Sequence, residues 1–218
     1  MKTIAIAIIG VSLTLIGTAS GADAPQNFAV HEMPKPLPEI QFMDGAGQQR
    51  ALSGFRSKVV LLNIWATWCG PCRREMPTLD RLQAEIGGPD FEVVALSIDR
   101  AGIEVVTKFY AEVGVKHLAM YIDSSGKAAR ELGAVGLPTT LLIDREGREI
   151  GRLVGPAEWD APEMVAFIRN RLAQERGSLA PTEHRHAILH DNTGAGTDFE
   201  PLRTPVAISS ATTKGTDQ

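Results

Sequence analysis

Cys69 and Cys72 are the only cysteines in a chain of 218 residues, and two residues separate them in the stretch WATWCGPCRREMP, residues 65–77. Such a pair can be a structural staple, half of a metal site or a dithiol that cycles through a disulfide. A disulfide closing so small a loop removes little entropy from the unfolded chain, which counts against a staple. The local pattern suits redox work better. Cys69 follows an apolar run, KVVLLNIWA, and Pro71 stands where the first turn of a helix begins, a position that needs no backbone N–H. A cysteine there sits beside unpaired N–H groups and the positive end of the helix dipole, and both favour thiolate over thiol. Cysteines so placed have pKa values of roughly 3.5 to 7.5, against about 8.5 for a free one. Cys72, three residues on, faces the same side of that turn and is placed to attack a mixed disulfide formed at Cys69.

The elements that must hold this pair are legible from periodicity. KVVLLNIWA is an uninterrupted, β-branched apolar run, as expected of a strand covered on both faces. Met76, Leu79, Leu82 and Ile86 recur at helical spacing behind the cysteines until Gly87-Gly88, with Pro77 expected to kink that helix. FEVVALSID reads as a second buried strand, Ile103 to Val113 as a helix, LAMYID as a short strand and Lys127 to Leu132 as a short helix. TTLLID and EIGRLVG are strands joined through Arg145-Glu146-Gly147-Arg148 as a hairpin, and Asp160 to Leu172 is a final amphipathic helix with Met164, Val165, Ile168 and Leu172 inward. Helical crossovers imply parallel pairing of the early strands, so the expectation is an α/β fold: a mixed central sheet with helices on both faces. Ile40 to Met43 followed by Asp44-Gly45 reads as a strand and turn, an N-terminal hairpin. Trp159 is read as a core anchor before the last helix. Trp68, next to Cys69 and out of the inward phase of the strand, is read as exposed on a docking surface.

The flanks differ. Residues 1–22 begin with Lys2, continue through an apolar run from Ile4 to Ile16 and end in Ser20-Gly21-Ala22, the layout of an export signal, cleaved or kept as an anchor. The run is shorter than the roughly 20 apolar residues of a membrane-spanning helix. Four prolines between residues 23 and 38 predict an extended linker over 23–37. A compact domain is expected over 38–175, and residues 176–218, rich in Ser, Thr, Gly, Asp and Pro, are expected to be disordered. The tail carries His184, His186 and His190, a spacing that could bind a transition metal but reads as incidental. With a net charge of -4 and no basic patch, nothing suggests nucleic-acid binding.

WATWCGPCRREMP resembles the active-site motif of the thioredoxin superfamily at Trp65, Trp68, Cys69, Gly70, Pro71, Cys72 and Pro77, and GLPTT, residues 136–140, resembles its second signature. The resemblance implies a thioredoxin-like fold in which Pro138 is cis and packs against the cysteines, while the backbone of Leu137 pairs with an extended substrate segment as an added strand. It is sharper toward the exported TlpA/ResA-like branch, which carries a central strand–helix insertion and a glutamate at the position of Glu75; VGPAEWD, residues 154–160, is similar to its TlpA members. Many cytoplasmic thioredoxins hold a buried aspartate six residues before the first cysteine, where this chain has Asn63. An amide cannot exchange a proton, so the resemblance moves proton handling to Glu75; a solvated glutamate paired with Arg73 or Arg74 is the other reading of that residue.

The implied activity is thiol–disulfide exchange, with Cys69, Cys72, Glu75 and Pro138 as the catalytic set and Trp68, Gly70, Pro71 and Leu137 contacting substrate. No cofactor or metal is implied beyond the Cys69–Cys72 disulfide. Exported proteins with cysteine pairs would be substrates, a membrane-embedded thiol reductant would supply electrons, and the chain is read as a monomer. Two other readings differ in class. A copper-binding assembly chaperone would grip metal through both sulfurs and a tail histidine, which a proline packed on the sulfurs obstructs. A thiol peroxidase usually has Thr-x-x-Cys, whereas Thr67 lies two residues before Cys69.

Overall fold

The structure, a computed structural model, describes residues 24–178 with the exception of residue 26. Within them, thirteen short elements follow from the patterns above. The strands are β1 Ala29–Pro36, β2 Gln41–Asp44, β3 Gln49–Ala51, β4 Val59–Trp65, β5 Phe91–Ser97, β6 Tyr121–Ile122, β7 Thr139–Ile143 and β8 Arg148–Val154. The helices are α1 Gly70–Ile86, α2 Ile103–Val113, α3 Lys127–Glu131 and α4 Pro162–Ser178, with a 3-10 turn at Leu52–Phe55. The strands form one mixed sheet in the order β1-β8-β7-β4-β5-β6-β2-β3.

β4 is buried at all seven positions because it lies in the middle of the sheet, parallel to β5 on one side and antiparallel to β7 on the other. That is why its sequence is apolar throughout rather than alternating. The two faces are distinguished by parity. Val59, Leu61 and Trp65 join a core built with Met76, Leu79 and Leu82 of α1, Phe109 of α2 and Phe167 and Ile168 of α4. Val60, Leu62 and Ile64 point the other way, into a core with Phe42 of β2, Leu52 and Ala128 and Ala129 of α3. Asn63 shares the parity of Trp65 and so enters the α1 face, fully buried. α1 runs as one helix through Pro77. β6 and α3 form the expected insertion between α2 and β7, and β2–β3 the expected hairpin, on one edge of the sheet.

The linker expectation for 23–37 is corrected. Ala29–Pro36 is an edge strand, antiparallel to β8, with a register irregularity between Val30 and Lys35. The prolines do signal extended chain, but on an outer edge their missing N–H groups interrupt no ladder, so the segment can pair. Side chains reinforce it. Phe28 is buried with its ring 5.1 Å from that of Phe167, and His31 Nε2 lies 2.7 Å from Glu149 Oε1. Gly151 makes the docking tight: a Cβ there would stand 2.6 Å from Phe28 Cε1 and 2.8 Å from the Ala29 carbonyl oxygen. Gly151→Ala is therefore expected to destabilise the protein by about 1–3 kcal/mol, the usual cost of overpacking, and urea unfolding will show it as a lower midpoint.

The C-terminal boundary also moves. The last helix begins at Pro162 rather than Asp160 and reaches Ser178, past the expected domain end at 175. Beyond Leu172 it presents Ala173, Gln174 and Arg176 to solvent, so the apolar period ends before the helix does. The rest of the expected tail, its three histidines and residues 1–22 lie outside the described residues.

Candidate active site

β4 delivers the chain to the cysteines, and α1 fixes them. Cys69 is the residue that caps α1: its Sγ accepts the Cys72 backbone N–H at 3.2 Å, and its own N–H donates to the Ala66 carbonyl at 3.1 Å. The two sulfurs are joined as a disulfide, with Cα atoms 5.3 Å apart. Their access differs. Cys69 retains 7% of its surface, whereas Cys72 has none. Any attack from solvent therefore falls on Cys69.

The turn before Cys69 is held by a residue the sequence reading did not single out. Asp99, after β5, takes the Thr67 N–H on Oδ2 at 2.8 Å and the Thr67 hydroxyl on Oδ1 at 2.7 Å, and Ser97 Oγ donates to Oδ2 at 2.7 Å. Arg73 ties the same turn to α2. Its guanidinium pairs with Glu112 at 2.7 Å, lies 4.6 Å from the Phe109 ring centroid and reaches the Thr67 carbonyl at 3.4 Å. The alternative reading of Glu75, as a solvated glutamate paired with Arg73 or Arg74, does not hold, because Glu75 is buried and bonded to Asn63, Ala157 and Trp159 instead.

Glu75 is 2% exposed, on the face of α1 that packs on the sheet. Oε1 accepts from Asn63 Nδ2 at 2.8 Å, while Oε2 accepts from the Ala157 N–H and from Trp159 Nε1, each at 3.1 Å. Asn63 Nδ2 also donates to Thr140 Oγ1 at 2.9 Å, across the β4–β7 pair. None of these partners is a cation. Burial raises the carboxyl from 4.5 to about 7, and the three donors only partly oppose it. Trp159 is the expected core anchor, fully buried, and its indole N–H is a contact that sequence reading missed. Period-2 alternation along β4 was a usable signal for Asn63 facing α1; nothing local pointed to Ala157 or Thr140.

Of the remaining expected site residues, the structure brings Trp68 and Leu137 to one surface. The Leu137–Pro138 peptide bond is cis, Pro138 is buried, and its carbonyl accepts the Gly155 N–H at 2.9 Å. Leu137 and Trp68 line the same surface groove. Trp68 is 69% exposed, as read from its phase, and Val135, before the cis proline, and Val154, at the end of β8, are exposed as well. Gly70 is exposed and Pro71 half-buried. Among the described residues, no cluster of three or more His, Cys, Asp or Glu is placed to hold a metal ion, and no helix is long and apolar enough to cross a membrane.

A reactive cysteine at a strand–helix junction, with its partner one turn behind in a mixed sheet, defines a thioredoxin-like thiol–disulfide oxidoreductase. Comparison with known proteins places it further. The family model described as redoxin matches residues 33–168. The chain is 34% identical over 124 residues to the thiol-disulfide oxidoreductase ResA of Bacillus thuringiensis subsp. konkukian, covering 57% of this chain and 70% of that one. It is 29% identical over 145 residues to the thioredoxin-like protein YneN of Bacillus subtilis, covering 64% and 84%. Among solved structures, one assigned as the thiol:disulfide interchange protein DsbE of Chlorobium tepidum superposes with a TM-score of 0.56 at 32% identity, over 65% of this chain and 96% of that one. The exposed lipoprotein thioredoxin Etrx1 of Streptococcus pneumoniae gives 0.51 at 27% identity, over 63% and 99%. This chain belongs to the redoxin family, as a ResA/TlpA-like member of the thioredoxin superfamily.

Proposed function

We propose that this protein is a periplasmic reductant of disulfides in exported proteins, working as a monomer. The observation that carries the reading is the division of access between the sulfurs: Cys69 at the surface over the α1 N-terminus, Cys72 sealed behind it. In the reduced protein the Cys69 thiolate attacks one sulfur of a target disulfide. The target's other sulfur leaves as a thiolate, and a mixed disulfide forms at Cys69. Cys72 then attacks Cys69 Sγ, which re-forms the Cys69–Cys72 bond and releases a target dithiol two electrons richer. Glu75, poised near neutrality on the same helix, takes the Cys72 proton. Trp68, Gly70 and Pro71 form the contact rim, and the Leu137 backbone, whose N–H and C=O no described residue takes, pairs with the target segment.

Direction and place draw on other observations. Gly70-Pro71 is the filling of thioredoxin, a reductant. The signal-like residues 1–22 and the likeness to a protein described as an exposed lipoprotein support export. In an oxidising compartment the dithiol must be regenerated, so a membrane-embedded thiol reductant is its electron donor. Its targets are cysteine pairs awaiting haem or copper in cytochromes and oxidase assembly factors. The direction is tested by equilibrating the pair with glutathione: a potential near about -270 mV is expected, and one near about -120 mV overturns the reductant role.

A further inference from the structure

The groove lined by Trp68, the neighbour of Cys69, and by Leu137 extends between the loop after β5 and the α3 region. It has a volume of about 660 Å³ and is also lined by Arg100 and Arg130. Ile98, Ala129 and Ala134 give it an apolar lining. Its one acidic lining residue, Asp99, is 4% exposed and has both oxygens engaged by Thr67 and Ser97. Neighbouring acids are likewise occupied. Asp123 accepts from Ser125 and Ala128, and Glu131 pairs with Lys127. The two arginines keep donors free. Arg100 is exposed and has no hydrogen-bond or ion-pair partner among the described residues. Arg130 is exposed and gives one N–H to the Ser125 carbonyl at 3.0 Å, with the rest of its guanidinium available.

We infer that this groove selects target segments that carry a carboxylate beside the reacting cysteine; the inference rests on the disulfide-reductase reading above. The occupant is a protein segment and not a free anion, because the groove is continuous with Trp68 and with Leu137. A chain whose cysteine reaches Cys69 and whose backbone lies along Leu137 must send its next residues into the groove or away from it. Apolar lining receives the stem of an aspartate or glutamate side chain, and guanidinium groups receive its head in a planar, two-point contact. A lysine or arginine there meets like charge instead.

The test compares two synthetic peptides with the same internal disulfide, one with aspartates and one with lysines beside the cysteines. Each is mixed with the reduced full-length protein, and the second-order rates are read by stopped flow. The aspartate peptide is expected to react about three- to tenfold faster at low salt, the effect of a few partly exposed charge contacts. The ratio should shrink toward one at about 1 M salt, where the screening length is about 3 Å. Arg100→Glu/Arg130→Glu should invert the ratio, and Arg100→Lys/Arg130→Lys should keep its sense. Equal rates in the wild type, or a ratio that survives charge reversal, overturns the groove assignment alone. Reduction of neither peptide overturns the reductase reading beneath it.

Discussion

Cys69→Ser is expected to lower the rate of disulfide reduction by at least about 10³-fold, since a serine hydroxyl is not ionised at neutral pH and forms no mixed disulfide. Cys72 cannot take over, because it has no exposed surface and lies behind its partner. Cys72→Ser should behave in the opposite way. The attack at Cys69 still occurs, since the α1 N-terminus and the Asp99-held turn that position it are intact. What is lost is the sulfur that resolves the intermediate, so the reaction stops at a covalent complex. Intact-mass measurement should show the protein heavier by one target chain, and dithiothreitol should reverse the gain. Carried out with periplasmic extract, the same variant names the targets. Turnover by Cys69→Ser, or catalytic turnover by Cys72→Ser, contradicts the assignment of the two sulfurs.

How much of this could be read in advance depends on the range of each interaction. Val59–Trp65 and the start of α1 were legible because their causes are local: a run of apolar residues, and a proline where a helix can accept one. Trp68 was legible for the same reason, since its exposure follows from its phase relative to β4. β1 was not. Its prolines mark extended chain truly, but what turns extended chain into a strand is the open edge of β8, more than a hundred residues later. Asp99 escaped notice because its value lies in Thr67, across the β4–β5 pair. Glu75 falls between these cases. Helical periodicity left open whether it was buried or solvated, and the family likeness lent it a role. Its environment is assembled by Asn63 and Trp159, 12 and 84 positions away, and no local pattern reports them.

Glu75→Gln is expected to act on rate and stability with opposite signs. The carboxyl is neutral below about pH 4.5 in both folded and unfolded chains and so contributes no pH dependence there. Between that point and about 7 the unfolded chain ionises while the folded protein holds its proton, and stability falls as pH rises. A displacement from 4.5 to about 7 corresponds to about 3 kcal/mol of destabilisation once the buried group is charged. Glutamine removes that penalty without removing the shape. It also finds a partner, because Asn63 Oδ1 is buried with no hydrogen bond. Rotating the Asn63 amide presents that oxygen to the NH₂ of the introduced glutamine, just as it would to a protonated Glu75. An aspartate at position 63 could not serve both charge states, since its carboxylate would face that of Glu75. Glu75→Gln should therefore be more stable than the wild type at pH 8, by up to about 3 kcal/mol, and equal to it only below about pH 4, where the folded and unfolded wild-type chains both carry the carboxyl protonated, as thermal unfolding at the two pH values will show. Its disulfide reduction should be slower by about 10²-fold, the low end of what a positioned acid–base group contributes, and should lose the inflection near pH 7. An inflection that persists in the variant would assign proton transfer to another group and leave Glu75 with its structural role alone.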